Sequence, residues 1–312
     1  NSGGNFKFDV YLDTNSNPTT QVANDITALS YTFTGFDKGI KYYWKVVATD
    51  PSGSKTSSVM NFTVPMTPEW SYTTGDAVRL VAVSADGEYI VIGSHDCKIY
   101  LFKKGSSTPL WSKCLSDEWG DDSEVRALAI SADGEYITAG SNGDIVYLFD
   151  KDSSTPLWTY DVGLHGVLDL AMSADGEYIA AAGGSNNKVF LWNKDSSTPS
   201  WSYSVNAQVT FIDISADGEY IVASSSGNNN MYLFDKDSSS PLWTYSTGSI
   251  ASEVVISSDG EYIALASKGD SDKLFLFDKD SSTPLWSYDV GEDVFSVSLS
   301  ADGEYITASS AD

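Results

Sequence analysis

The heptapeptide SADGEYI at Ser84–Ile90 recurs unchanged at Ser131–Ile137, Ser173–Ile179, Ser215–Ile221 and Ser300–Ile306, and as SSDGEYI at Ser257–Ile263. Successive copies are 47, 42, 42, 42 and 43 residues apart. Each places Asp-Gly between an apolar alternation, such as Val78–Val83, and a run beginning Glu-Tyr-Ile. Asp-Gly flanked in this way is the strongest short hairpin signal. A period in the low forties with four short strands per unit predicts a propeller blade. One such sheet cannot bury both of its faces, so each unit must stack on its neighbours. The spacing therefore predicts an all-β chain whose main domain is a β-propeller of six blades, the last incomplete, with a seventh left open.

Within a repeat, a third strand follows at segments such as Lys98–Phe102 and Ile145–Phe149. A fourth contains Pro-Leu-Trp, at Pro109–Trp111, Pro156–Trp158, Pro241–Trp243 and Pro284–Trp286, with Pro199-Ser200-Trp201 as a variant. A Trp once per repeat, beginning with Trp70, is expected to wedge between blades. Burying an indole removes about 150–250 Å² from water, worth roughly 4–6 kcal/mol. Residues 293–309 supply two strands of the last blade, and Thr67–Tyr72 is expected to supply its fourth, leaving that sheet without a third. An open sheet edge there would invite a strand from outside residues 1–312. The sequence favours a fragment of a longer protein over strand exchange between subunits.

Residues 1–65 carry no heptapeptide. Strand-like runs occur at Phe6–Leu12, Ser30–Thr34, Lys41–Thr49 and Ser58–Val64, separated by turn signals such as Asp50-Pro51-Ser52-Gly53. Tyr42, Trp44, Val46 and Ala48 alternate onto one face. YYWKVVATDPSGSKTSSVMNFTV resembles the last two strands of a fibronectin type III module, and FDVYLDTNSNPTTQVA resembles its middle hairpin. The resemblance implies a partial β-sandwich over 1–65, because the family's first two strands have no counterpart here. A Pro-flanked connector at Val64–Pro68 leads into the propeller domain, 66–312.

Forty-three acidic against 18 basic residues give a net charge of −25. Binding nucleic acid through counterion release needs Lys/Arg clusters, and docking on anionic lipid needs the same. No apolar run reaches membrane-spanning length, and the opening residues, NSGGNFKFDVYLD, do not read as a signal peptide.

Enzymatic signatures are absent. His95 and His165 stand in different blades without partners at metal-ligand spacing, and no phosphate loop or nucleophile elbow occurs. VYLFDKDSSTPLW at Val146–Trp158 is similar to the quinoprotein repeat, and SADGEYI resembles the Ser-Pro-Asp-Gly turn of WD-repeat and TolB-like propellers. The repeats together resemble archaeal and other prokaryotic cell-surface propellers, which often carry fibronectin type III modules. The Trp-Asp and Gly-His pairs of WD repeats and the adjacent Cys pair of quinone enzymes are missing.

Topology puts the SADGEY and DKDSSTP turns on one strongly acidic face. The Asp-Lys-Asp turns make Asp150, Asp152, Asp235, Asp237, Asp278 and Asp280 weak calcium candidates, although the closing Glu of a calcium loop is lacking. The opposite face carries loops that differ between repeats: Ser94–Cys97, Gly184–Lys188, Ser224–Asn230, Lys268–Asp272 and the long Ser112–Glu124. Trp119, with Asp117 and Glu118, is the candidate partner contact. Pairing third and fourth strands about Lys104–Thr108 sets Cys97 nearly opposite Cys114, so these two cysteines are expected to form a disulfide. That bond is worth roughly 3 kcal/mol and belongs to an oxidising compartment. Asn61 heads a lone glycosylation triplet. The reading is a non-enzymatic extracellular structural or adhesion module. It would contact protein partners or its own copies in a surface layer, sheath, filament or adhesin, and needs no cofactor beyond a possible calcium ion. The alternatives are a glycan-binding or glycan-cleaving propeller and a quinoprotein-like assembly scaffold.

Overall fold

The computed structural model describes residues 6–28, 30–64, 68–116, 124–163, 166–183, 187–269 and 272–311. It divides into two compact units, Asn1–Ser71 and Tyr72–Asp312.

The first unit is one antiparallel sheet of β1 (Lys7–Asp13), β2 (Gln21–Ile26), β3 (Lys41–Asp50), β4 (Gly53–Thr56) and β5 (Met60–Thr63). Its order is β2-β1-β3-β4, and β5 also pairs with β3. Register sets Phe8, Val10 and Leu12 opposite Ala48, Val46 and Trp44, so these six side chains share one face. That face, with Phe33, Phe36 and Phe62, lines an open apolar groove of about 630 Å³. The expected strand at Ser30–Thr34 is not formed in the described residues. Among the described residues no strand pairs with it, and Tyr31 Oη donates to the Val22 carbonyl at 2.7 Å.

The second unit contains five four-stranded antiparallel meanders and a final two-stranded sheet. The innermost strands are Val78–Val83, Val125–Ile130, Val167–Met172, Val209–Ile214, Ile250–Ile256 and Val294–Leu299, each packed on the next. This is the radial stacking of a β-propeller. The apolar cores lie between blades: Val189 and Leu191 of the third blade cluster with Ile221, Ala223 and Phe234 of the fourth. Phe102, Phe149, Trp192, Phe234 and Phe277 hold equivalent third-strand positions and are fully buried.

Three contacts repeat at the blade joints. First, the turns join through their backbones. Ala85 N–H donates to the Ala132 carbonyl (2.8 Å), Ala132 to Ala174 (2.8 Å), Ala174 to Ala216 (2.8 Å), Ala216 to Ser258 (3.0 Å) and Ser258 to Ala301 (3.0 Å). Second, the heptapeptide Tyr of each of the first five blades lies against the turn Gly of the following blade. A Cβ on Gly176 would fall 2.6 Å from Tyr136, and one on Gly218 would fall 2.5 Å from Tyr178. Third, the fourth-strand Trp reaches across: Trp111, Trp158, Trp201 and Trp243 donate Nε1–H to the carbonyls of Lys151, Lys194, Lys236 and Lys279 at 2.6–2.7 Å.

The closing strand expected at Thr67–Tyr72 does not form among the described residues. Thr67 lies outside the described residues, and residues 68–72 form no strand. The last sheet holds two strands, Val294–Leu299 and Ile306–Ser310, so no third strand is present among the described residues for that segment to pair with. Its side chains nonetheless keep the repeat's packing. Tyr72 meets Phe102 edge-on at 5.1 Å, as Tyr203 meets Phe234 at 5.3 Å and Tyr245 meets Phe277 at 4.8 Å.

Gly87 and Gly218 share a left-handed backbone, with φ of 69° and 75°, but a Cβ on Gly87 would meet nothing within 4 Å. Gly87→Ala is therefore expected to cost only the backbone term, about 1 kcal/mol. Gly218→Ala adds displacement of the Tyr178 ring and should cost about 3 kcal/mol or more by urea unfolding. Equal costs would contradict the Tyr–Gly seat.

Candidate functional site

The acidic turn face is built around one lysine in each of four successive blades. Lys151 N–H donates to the Glu135 carbonyl at 2.9 Å, and its ammonium lies 2.9 Å from Glu135 and 3.1 Å from Asp152. Its own carbonyl receives the Trp111 indole. Lys194 (Glu177, Asp195), Lys236 (Glu219, Asp237) and Lys279 (Glu261, Asp280) repeat the arrangement. Hydrogen bonds to these carboxylates hold all four ammonium groups above the ordinary lysine range.

The calcium candidates fall inside this device. Asp150, Asp235 and Asp278 each accept the N–H of the residue two places on at 2.8 Å. Those residues, Asp152, Asp237 and Asp280, are the ones paired with lysine. The six carboxylates fit a turn clamp. Among the described residues no group of three or more His, Cys, Asp or Glu is arranged to hold a metal ion. The heptapeptide aspartates are likewise engaged. Ser84 Oγ donates to Asp86 at 2.6 Å, and this hydroxyl, followed by the Glu88 N–H, lowers the Asp86 pKa.

On the opposite face, Cys97 and Cys114 are joined in a disulfide with Cα atoms 4.9 Å apart. Cys97 has a φ of 69°, and its counterparts Asp144, Asn187 and Asn229 have 70°, 55° and 57°. Asp and Asn tolerate this left-handed position, whereas Cys has no such preference. The cross-link, rather than turn chemistry, accounts for Cys97. Asp96 beside it accepts from Tyr100 Oη at 2.5 Å and from Gly75 N–H at 2.7 Å. His95 Nε2 accepts from Arg79 Nε at 3.0 Å, and its Nδ1 lies 3.8 Å from Glu124. Trp119, Asp117, Glu118 and His165 lie outside the described residues. Asn61 is exposed within β5, opposite Tyr43.

Sequence reasoning missed a row of carboxylates along the inner strands. Asp169 accepts from its neighbour Leu170 N–H and from Ile212 N–H of the next blade, both at 2.9 Å. Asp213 does the same with Ile214 and Ile256, both at 2.9 Å. Glu253 accepts from Val297 N–H at 2.7 Å. An innermost strand has an open edge, and these acids satisfy its amides while tying blade to blade. No lysine or arginine pairs with them among the described residues. Burial, followed by repulsion from Asp213 and Glu253, pushes the Asp169 carboxyl up to about 7 against the pull of its two amides. Burial, with repulsion from Glu253, pushes Asp213 up to about 6. The available signal was an acid set among apolar residues, as in LDLAM and FIDIS. A second missed feature is a series of half-exposed leucines, Leu110, Leu157, Leu242 and Leu285, each next in sequence to a fourth-strand Trp.

Residues 141–293 match the family model for outer membrane protein assembly factor BamB. Residues 67–103 and 112–150 match that for the WD domain, G-beta repeat. No curated protein matches the chain. A chain from the crystal structure of a mitotic checkpoint complex superposes with a TM-score of 0.64 at 17% identity, covering 87% of this chain and 84% of that one. Matching solved chains number 1522, so the likeness speaks for the fold alone. Among the described residues no helix is long and apolar enough to cross a membrane.

Both raised carboxyl pKa values lie above that of an unfolded Asp, so between about pH 4 and pH 7 the folded chain binds more protons than the unfolded one. These two groups thus contribute stability at low pH that is lost as pH rises through 6 and 7. Replacing Asp169 and Asp213 together by Asn should remove that loss. The variant is expected to gain up to about 4 kcal/mol on the wild type between pH 5 and pH 8 in urea unfolding. A difference independent of pH would contradict the assignment.

Proposed function

We propose that the chain is a non-enzymatic propeller scaffold for protein–protein contacts in an extracellular or cell-surface assembly, fronted by half of a fibronectin type III-like sandwich. One observation carries the reading: the two faces of the disc are used differently. The acidic turns are spent on the ring itself, with lysine, glutamate and aspartate clamped in four successive blades. The loops at the other end differ from repeat to repeat, and there the disulfide is found. Loops of unequal sequence on a rigid frame are what recognition uses. A disulfide suits an oxidising compartment.

The sandwich reading is supported by the β2-β1-β3-β4 order and by a tyrosine corner, in which Asp37 N–H donates to Tyr42 Oη at 3.2 Å. The BamB match favours a second reading, an assembly scaffold in a bacterial envelope. Both readings use the propeller to hold other proteins. They differ in the compartment and in the partner.

Cross-linking in intact cells of the source organism tests the reading. Lys188, Lys268 and Lys273 flank the variable loops, so their cross-links to other proteins should dominate over those of Lys151, Lys194, Lys236 and Lys279. Cross-links concentrated on the clamped lysines would contradict it. So would two free thiols in protein alkylated before lysis.

A further inference from the structure

Every blade joint in this propeller has two halves. The earlier blade brings a Tyr ring, a turn N–H and the fourth-strand Trp. The later blade brings a bare turn Gly, a turn carbonyl, an apolar inner strand and a third strand that receives the Trp. At the two ends of the arc parts of each half stand unmated, although Tyr72 already packs on Phe102. Tyr305 is 71% exposed, and Ala301 N–H has no acceptor among the described residues. Trp286 and Tyr288 are also exposed. At the other end a Cβ on Gly87 would meet nothing, and Val81 is 66% exposed where its counterparts Ile212, Val254 and Val297 are buried.

The mated joints define what covers these surfaces: five carry the turn bond and the Tyr seat, and four of them also carry the Trp bond. The partner must offer a glycine seat for Tyr305, a carbonyl for Ala301 and a third strand of the Lys273–Phe277 type for Trp286. It must also bring a Tyr to Gly87. A six-blade ring would join the two ends directly, yet neither the Ala301-to-Ala85 bond nor the Tyr305–Gly87 contact forms. A second copy would bring five complete blades to a ring that takes about four to eight in all. The smallest ring that mates both halves without joining them to each other has seven positions.

We propose that the ring is seven-bladed, and that its open joint takes one more unit of this same repeat, paired along the strand Ile306–Ser310. That unit completes the sixth sheet and supplies the inner strands of a seventh, with the Tyr72 segment along its outer edge.

The test compares the 1–312 protein with two extensions made from its own sequence. The short one repeats residues 269–280 after Asp312 and supplies only the third strand that a six-blade ring needs. The long one repeats 269–312 and then 269–280. The long extension should raise Tm by about 10 °C and make Gly87→Ala as damaging as Gly218→Ala, while the short one does neither. A matching rise with the short extension, or no rise with the long one, overturns the proposal. Tyr305→Ser in the 1–312 protein is a check that needs no extension. Tm should stay within about 1 °C, and a loss as large as that of Tyr262→Ser would mean that the six-blade ring is already closed.

Discussion

The contact on which the rest of this propeller depends is the seating of one blade's turn on the next. A single backbone hydrogen bond runs from turn to turn, and a tyrosine ring lies where any side chain on the following glycine would have to be. Together they fix the spacing and order of the blades. The Trp-to-lysine bond then sets the outer edge, and the inner carboxylates stitch the strands at the channel. The glycine meets two separate demands. It supplies a left-handed turn, and it leaves the space that its neighbour fills. This explains why SADGEYI is repeated so closely while the loops opposite are not.

The same contacts explain why the acidic turn face has little freedom to bind a ligand. Its lysines are held at three points, and its aspartates are occupied by turn amides or by those lysines. The high net negative charge is thus partly a by-product of how blades are capped. The inner carboxylates are the exception. No lysine or arginine among the described residues pairs with them, so Asp169 and Asp213 carry a modest repulsion that protonation relieves.

The repeat spacing made the blades legible, and the strand boundaries followed from the Asp-Gly turns and the alternation around them. The Cys97–Cys114 bond was legible because third and fourth strands pair in fixed register, with Lys98 opposite Cys114. The Trp wedge was legible from its period, though its acceptor, a lysine carbonyl of the next blade, was not, since a backbone atom leaves no mark in sequence. Ser30–Thr34 has strand chemistry but no neighbouring strand, and propensity alone did not hold it in a sheet. Asp169, Asp213 and Glu253 escaped notice because they break the repeat at two different positions along the strand. Sequence periodicity highlights what recurs, whereas these acids act through a backbone edge common to every blade.

Amide hydrogen exchange of the native protein tests the turn-to-turn chain most directly. Ala85, Ala132, Ala174, Ala216 and Ser258 should exchange slowly, each held by the carbonyl of the next turn, while Ala301 exchanges at the rate of an open amide. Equal protection at all six positions, or fast exchange along the whole chain, would contradict this account of what holds the ring.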